Sequence, residues 1–366
     1  MPTAVISATA TDGFRRNGSA SVHAIPERRA VNEPGGRLVE LSRDGVPRHV
    51  VISLLNGMGD AFLALPLIRY VIDRFGRDRV SVWANQYHGK TVYAELGDVL
   101  VGTSECNLNI AAERKAEELA ALRRCLPAGR VLSWVSLNSY EPRTVVEDYA
   151  IHRLKPQSLW QFRGAHVRFD PQTGRVLHRM DQYFRVIGES RTPPVERRPV
   201  LDDAVRRRAM AIRDHVHRMA KQLIVVHAQT ESSKRWPQSH WRALGRLLQE
   251  HCELVVLGLP DTALSWSEPY LSVPPDWQKQ IAIMAYADAF VGVDSCFSHV
   301  ADAFGLDGVV LYGDAAAAAA WQPKGPALKP LIAENGRLET ISAADVADQI
   351  TSCLRLRTRI EKAQAR

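Results

Sequence analysis

Apolar positions along this chain repeat a two-part pattern: a short β-branched run, then a stretch where apolar residues recur every three or four positions. The first run is RHVVISLL, Arg48 to Leu55. It does not alternate with polar residues, which suits a strand covered on both faces. After a turn, Ala61, Leu65, Ile68, Ile72 and Phe75 follow one helical stripe, which Gly76 stops. RVSVWA (Arg79 to Ala84) and RVLSWVSL (Arg130 to Leu137) predict further strands, with the helical AAERKAEELAALRRCL between them. Strand alternating with helix predicts an α/β protein built on a doubly wound parallel sheet.

The pattern weakens from Tyr140 to Val200, where Pro142, Pro156, Pro171, Pro193, Pro194 and Pro199 interrupt it. This stretch is expected to end the first domain and to supply loops facing a substrate. A helix from about Asp202 to Lys221 then leads to a second round of alternation, with LIVVHA, LVVLGL, AFVGVD and GVVLYG as its strands. The domain plan is therefore an N-terminal Rossmann-like unit at 47–200, a linker helix at 201–221 and a second Rossmann-like unit at 222–342. A last amphipathic helix within 343–366 is expected to pack back on the first domain. Residues 1–46, rich in Ala, Ser, Arg, Pro and Gly, read as a flexible extension that packs, if at all, near its end.

A length of 366 residues suits two such domains, and 46% hydrophobic with 24% charged residues is ordinary for a soluble globular chain. No apolar run is long enough to span a bilayer, and the N-terminus lacks the layout of a signal peptide. Five scattered cysteines without a C-x-x-C argue for free thiols, against a zinc site, and for the cytoplasm. The formal net charge of +7 favours an anionic partner without choosing one. Its densest basic run, Arg197 to Arg218, reads first as a solvated helix face.

The candidate chemistry lies at strand ends, where open parallel sheets bind ligands. Asn56, Gly57, Met58 and Gly59 follow the first strand, and Asp60 begins a helix. The glycines allow positive φ or close approach of a ligand. Phe62 occupies the third glycine position of a dinucleotide fingerprint, and no Walker lysine follows, so a phosphate cradle here is a weak reading. Asp60 reads either as a helix cap or as a general base. In the second half, HAQTESSKRWPQSHW sets Thr230, Ser232, Lys234 and Arg235 beyond a strand, a set suited to phosphate oxygens. VGVDSCFSHVADAFG places Asp294 before a helix whose first turn, at Ser295 and Cys296, offers free amides, with His299 one turn further on. Asp261, past another strand end, reads as a turn residue or as an acceptor from a ribose hydroxyl.

These motifs together resemble glycosyltransferase family 9, the heptosyltransferases of lipopolysaccharide inner-core assembly and their relatives. The resemblance rests on ISLLNGMGDAFLALPLIR, VVHAQTESSKRWPQSHWRAL and AFVGVDSCFSHVADAFGLDGVVLYG, in order between about Arg48 and Gly313. It implies a GT-B architecture, two Rossmann-like domains facing a central cleft, and metal-independent sugar transfer with inversion from a nucleotide donor, ADP-heptose first. It makes Asp60 the base and Lys234 the group that neutralises the leaving diphosphate, helped by Thr230, Ser232 and the amides of Ser295 and Cys296. It gives Asp294 the task of orienting the lysine or its loop, His299 a contact to phosphate or sugar, and Asp261 a loose match to an acid that holds the donor ribose. No cofactor beyond the nucleotide sugar is implied.

The chain departs from the family pattern at Cys296, where glycine is usual, at Asn56, and in GDAAAAAAWQPKG (Gly313 to Gly325). These departures leave the acceptor open among a glycolipid core, a natural product and a protein, with a peripheral membrane contact also open. The alternative is a sugar-nucleotide epimerase or hydrolase on the same scaffold, which would need more acid/base groups in the cleft. A nucleic-acid binder ranks last, because no aromatic residues interleave a basic stripe.

Overall fold

The computed structural model describes residues 37–43, 46, 48–85, 87–88, 91–103, 114–138, 141–162, 165–228, 234–258, 270–273 and 275–364. All of them fall in one compact unit. The first sheet holds β1 (Arg48–Leu54), β2 (Val80–Asn85), β3 (Leu100–Thr103), β4 (Val131–Ser136) and β5 (Ser158–Gln161) in the order β3-β2-β1-β4-β5. Every pairing is parallel. Its helices are α1 (Met58–Phe75), α2 (Lys115–Cys125), α3 (Glu141–Leu154), the short α4 (Ala165–Arg168) and α5 (Arg179–Val186). β1 is buried along its whole length, as its unbroken apolar run requires.

The second sheet holds β6 (Gln222–His227), β7 (Cys252–Leu257), β8 (Tyr270–Val273), β9 (Ala289–Val293), β10 (Asp307–Tyr312) and β11 (Leu328–Ile332). Its order is β11-β10-β9-β6-β7-β8, again all parallel. With it go α6 (Asp203–Arg218), α7 (Gln238–Leu248), α8 (Trp277–Ala285), α9 (Cys296–Phe304), α10 (Ala315–Trp321) and α11 (Ala343–Gln364). Gly292 in β9 is closely packed: a Cβ there would stand 2.5 Å from the Phe290 ring, which would have to shift.

Three apolar layers hold these elements. One lies on the α2–α3 face of the first sheet around the edge-to-face pair Trp83–Trp134, with ring centroids 5.8 Å apart. Another packs Trp241 and Leu244 of α7 with Val346 and Ile350 of α11 against the second sheet. The third is continuous from one sheet to the other, joining Ile52, Phe62 and Tyr183 to Trp277, Phe297 and Val310. The two lobes therefore share a core where they meet.

Two expectations change. Among the described residues α11 packs on α7, β9 and β10 of the second sheet, where a contact with the first domain was expected. Its apolar positions Val346, Ala347 and Ile350 match the groove beside Trp241, which is nearer along the chain and already apolar. The proline-broken stretch after Tyr140 holds α3, β5 and α5 as well as loops. The expected extension lies largely outside the described residues; at its end Leu38 is fully buried and donates its amide to the Ile187 carbonyl at 2.9 Å. The arginines Arg207, Arg208 and Arg218 of α6 are exposed, as a solvated face requires.

Candidate active site

Strand order decides where the site lies. In the first sheet, the chain leaves β1 toward β2 on one side, while β4 fills the place on the other. The crevice therefore opens at the carboxyl ends of β1 and β4. In the second sheet the same break falls between β6 and β9. Asn56 to Asp60 follow β1, Lys234 follows β6, and Asp294 to Cys296 follow β9.

Under the first crevice a polar network fixes the loop. The Leu55 amide donates to Asn138 Oδ1 at 2.6 Å, and Asn138 Nδ2 donates to Ser53 Oγ at 3.0 Å. Asn56 Nδ2 reaches the Leu137 carbonyl at 3.5 Å. Glu147, fully buried, accepts from Trp134 Nε1 at 3.0 Å and Ser136 Oγ at 2.7 Å. Burial pushes its carboxyl above the usual range, and these donors partly offset that.

Asp60 does not cap its helix. Gly57 occupies the cap position, and Asp60 lies inside the first turn, buried. Its Oδ1 accepts a hydrogen bond from the Tyr183 hydroxyl and lies 3.4 Å from Arg179 Nε. Burial, and then the Asp60 charge, raise both Tyr183 and Tyr93 well above the ordinary tyrosine range. Both therefore stay as hydroxyl groups. Positive φ is not what the glycines supply: Gly57 has φ −68°, and Gly59 is absent from the left-handed set. Gly59 faces the other lobe, where a Cβ would stand 3.8 Å from Cys296 Cα, an ordinary van der Waals contact.

In the second lobe Lys234 Nζ pairs with Asp294 Oδ2 at 2.7 Å. The lysine side chain is 41% exposed, whereas the aspartate is buried. Ser295 precedes α9, its Oγ 2.9 Å from His227 Nδ1, so the ends of β6 and β9 are pinned together. Burial lowers His227 to about 3 and keeps it neutral. Burial also raises the Cys296 thiol, which stays protonated and reaches the Met58 carbonyl at 3.5 Å. The first turn of α1 thus touches the first turn of α9.

His299 is buried, and lowered to about 3 by burial first and by His178, Arg197 and Lys234 after it. Its ring stands edge-on to His178 of the first lobe, centroids 6.2 Å apart, and 6.5 Å from the Trp321 ring. Arg235 is exposed. Thr230, Ser232 and Asp261 lie outside the described residues. Among the described residues no cluster of His, Cys, Asp or Glu is placed to hold a metal ion, and no helix is long and apolar enough to cross a membrane.

The residues that the sequence did not single out are Arg179, Tyr183, Tyr93 and Trp321. Met180, Tyr183, Phe184 and Ile187, at helical spacing, are the signal that would have found α5.

Two parallel Rossmann-like sheets whose switch points meet give the chain the GT-B fold. Residues 178–349 match the model of glycosyltransferase family 9 (heptosyltransferase). Similar solved structures agree on the fold. A family 9 glycosyltransferase from Veillonella parvula is 15% identical over 84% of this chain and 97% of its own, with a TM-score of 0.63. E. coli ADP-heptose lps heptosyltransferase II is 15% identical over 85% and 99%, with a TM-score of 0.60. E. coli heptosyltransferase WaaC with ADP is 18% identical over 84% and 99%, with a TM-score of 0.55. The search of curated proteins gave no match.

Proposed function

We propose that the chain transfers a heptosyl group from an ADP-linked donor to an acceptor hydroxyl, with inversion and without a required metal. The observation that supports this best is the meeting of the two switch points, where Cys296 Sγ contacts the Met58 carbonyl two residues from Asp60. An acceptor at the β1 end and a donor diphosphate at the β9 end would then be neighbours.

In this reading Asp60 accepts the proton of the acceptor hydroxyl as its oxygen bonds to the anomeric carbon. The bond from that carbon to the diphosphate oxygen breaks, and its electron pair leaves with ADP. One displacement inverts the centre. Lys234 and the α9 amides meet the negative charge that grows on the leaving group. Donors aimed at developing charge are usually the largest catalytic contribution, about 2.7–4 kcal/mol for one of them. Asp294 holds the lysine toward that charge, Thr230 and Ser232 add hydroxyls, and Asp261 takes the ribose. Asn56, Gly57, Met58 and Gly59 line the acceptor side.

E. coli heptosyltransferase II and WaaC carry ADP or ADP-heptose in their names, which is why ADP-heptose is the first donor here. The acceptor class is a glycolipid core, a natural product or a protein. The test is a thermal-shift screen of ADP-, GDP- and UDP-sugars, followed by ADP release with candidate acceptors. Stabilisation by ADP compounds alone supports the reading. Preference for UDP or GDP compounds, or ADP-heptose consumption without transfer to any acceptor, turns it toward the epimerase or hydrolase alternative.

A further inference from the structure

Arg179 joins the two lobes. It opens α5 in the first lobe, where Tyr183 binds Asp60 and Phe184 stacks edge-on with Tyr70, centroids 5.6 Å apart. Its guanidinium lies 4.9 Å from the centroid of Phe162 in the first lobe and 4.5 Å from that of Trp321 in the second. The side chain is 11% exposed. Its Nε is 3.4 Å from Asp60 Oδ1, and its Nη1 donates to Gln182 Oε1 at 3.3 Å. Trp321 is itself anchored, because its carbonyl accepts from the Tyr312 hydroxyl at 3.2 Å and its ring adjoins His299. The neighbouring Lys324 pairs with Asp181 at 2.5 Å, a second tie between α10's end and α5.

We infer that Trp321 and Arg179 are positioning residues for Asp60: the second lobe's tryptophan presses the arginine onto the first lobe's carboxylate, so the base is set when the lobes close. The inference rests on the proposed base role of Asp60. A guanidinium between two ring faces gains cation–π attraction from each, strongest where water is excluded. Removing one face frees a long side chain to turn toward solvent. The carboxylate then loses the nearby opposite charge that favours its ionised form. Tyr183 and Tyr93 face the same carboxylate and remain in place, while His178, Asp181 and Lys324 flank the arginine. Closure and ionisation of the base are thereby linked through one side chain. In the sequence Trp321 ends the alanine run that departs from the family pattern.

The test follows the Asp60 carboxyl itself by carbon NMR in protein labelled at aspartate, with the resonance missing from Asp60→Asn giving the assignment. Arg179→Ala should raise the titration midpoint by about one unit or more. Trp321→Ala should raise it in the same direction with Arg179 still present, and Trp321→Phe should leave it near wild type. Trp321→Leu, which keeps bulk without a π face, should behave like the alanine variant and serves where alanine does not fold. A merely structural tryptophan would lower the melting temperature without moving this midpoint. No shift in either Trp321→Ala or Trp321→Leu overturns the link between the lobes, and no shift in Arg179→Ala overturns the positioning role as well. Sugar transfer by Asp60→Asn at a wild-type rate would instead defeat the base assignment and leave the titration result standing.

Discussion

The two switch points, one in each lobe, are built differently. At the end of β1 a carboxylate is packed among buried aromatic residues: Asp60 with Tyr183, Arg179 and the nearby Tyr93. At the ends of β6 and β9 stand a half-exposed lysine, paired with Asp294, and the start of α9. A carboxylate can serve as a base only if its orientation and ionisation are set, and packing sets both. In the proposed reading a diphosphate brings its own charge and many oxygens, so helix-start amides and one lysine suffice to receive it. The first region should therefore respond sharply to small changes in side chains, and the second gradually.

The largest effect is expected at Asp60. Asp60→Asn keeps an acceptor for the Tyr183 hydroxyl and should reduce transfer by about 10²–10⁴-fold, checked by ADP release under saturating substrates. Lys234→Ala should lower turnover by about 10²-fold and also weaken ADP itself, checked by calorimetry. Tyr183→Phe removes one hydrogen bond to a charged group and should cost about tenfold in kcat/KM, with ADP binding unchanged. An equal loss of ADP binding would erase the distinction between the two regions.

A milder effect is expected of acid, and it strikes both lobes. His49 and His178 are lowered to about 4, and His227 and His299 to about 3, in each case chiefly by burial. The unfolded chain binds protons at these histidines below about 6.5, while the folded chain refuses them. Stability is thus complete above pH 6.5 and lost as pH falls toward 4. The melting temperature should drop by about 5 °C or more between pH 7 and pH 5 in a scanning calorimeter.

Much of the second region could be read from the sequence, because each of its two pieces is a short run just past a strand end. Lys234 lies in the loop after β6, and Asp294, Ser295 and Cys296 mark the passage from β9 to α9. The first region could be read only halfway. Asp60 stands at an obvious strand-to-helix break, but Tyr183 is 123 positions away and Arg179 sits in a stretch that prolines made look irregular. Contacts at that separation are set by strand order, and local periodicity carries no strand order. Trp321 was hidden by the alanines before it, which predict a helix without saying what its end touches. The last helix was misplaced for a related reason. An amphipathic stripe announces that it will be buried, but not against which groove.

The account stands on the two regions serving one reaction by different means. The most direct measurement is ADP affinity and transfer rate, side by side, for Asp60→Asn and wild type. The expected result is an ADP dissociation constant close to wild type with transfer reduced at least about a hundredfold. Transfer near the wild-type rate, or an ADP affinity weakened as much as in Lys234→Ala, would contradict it.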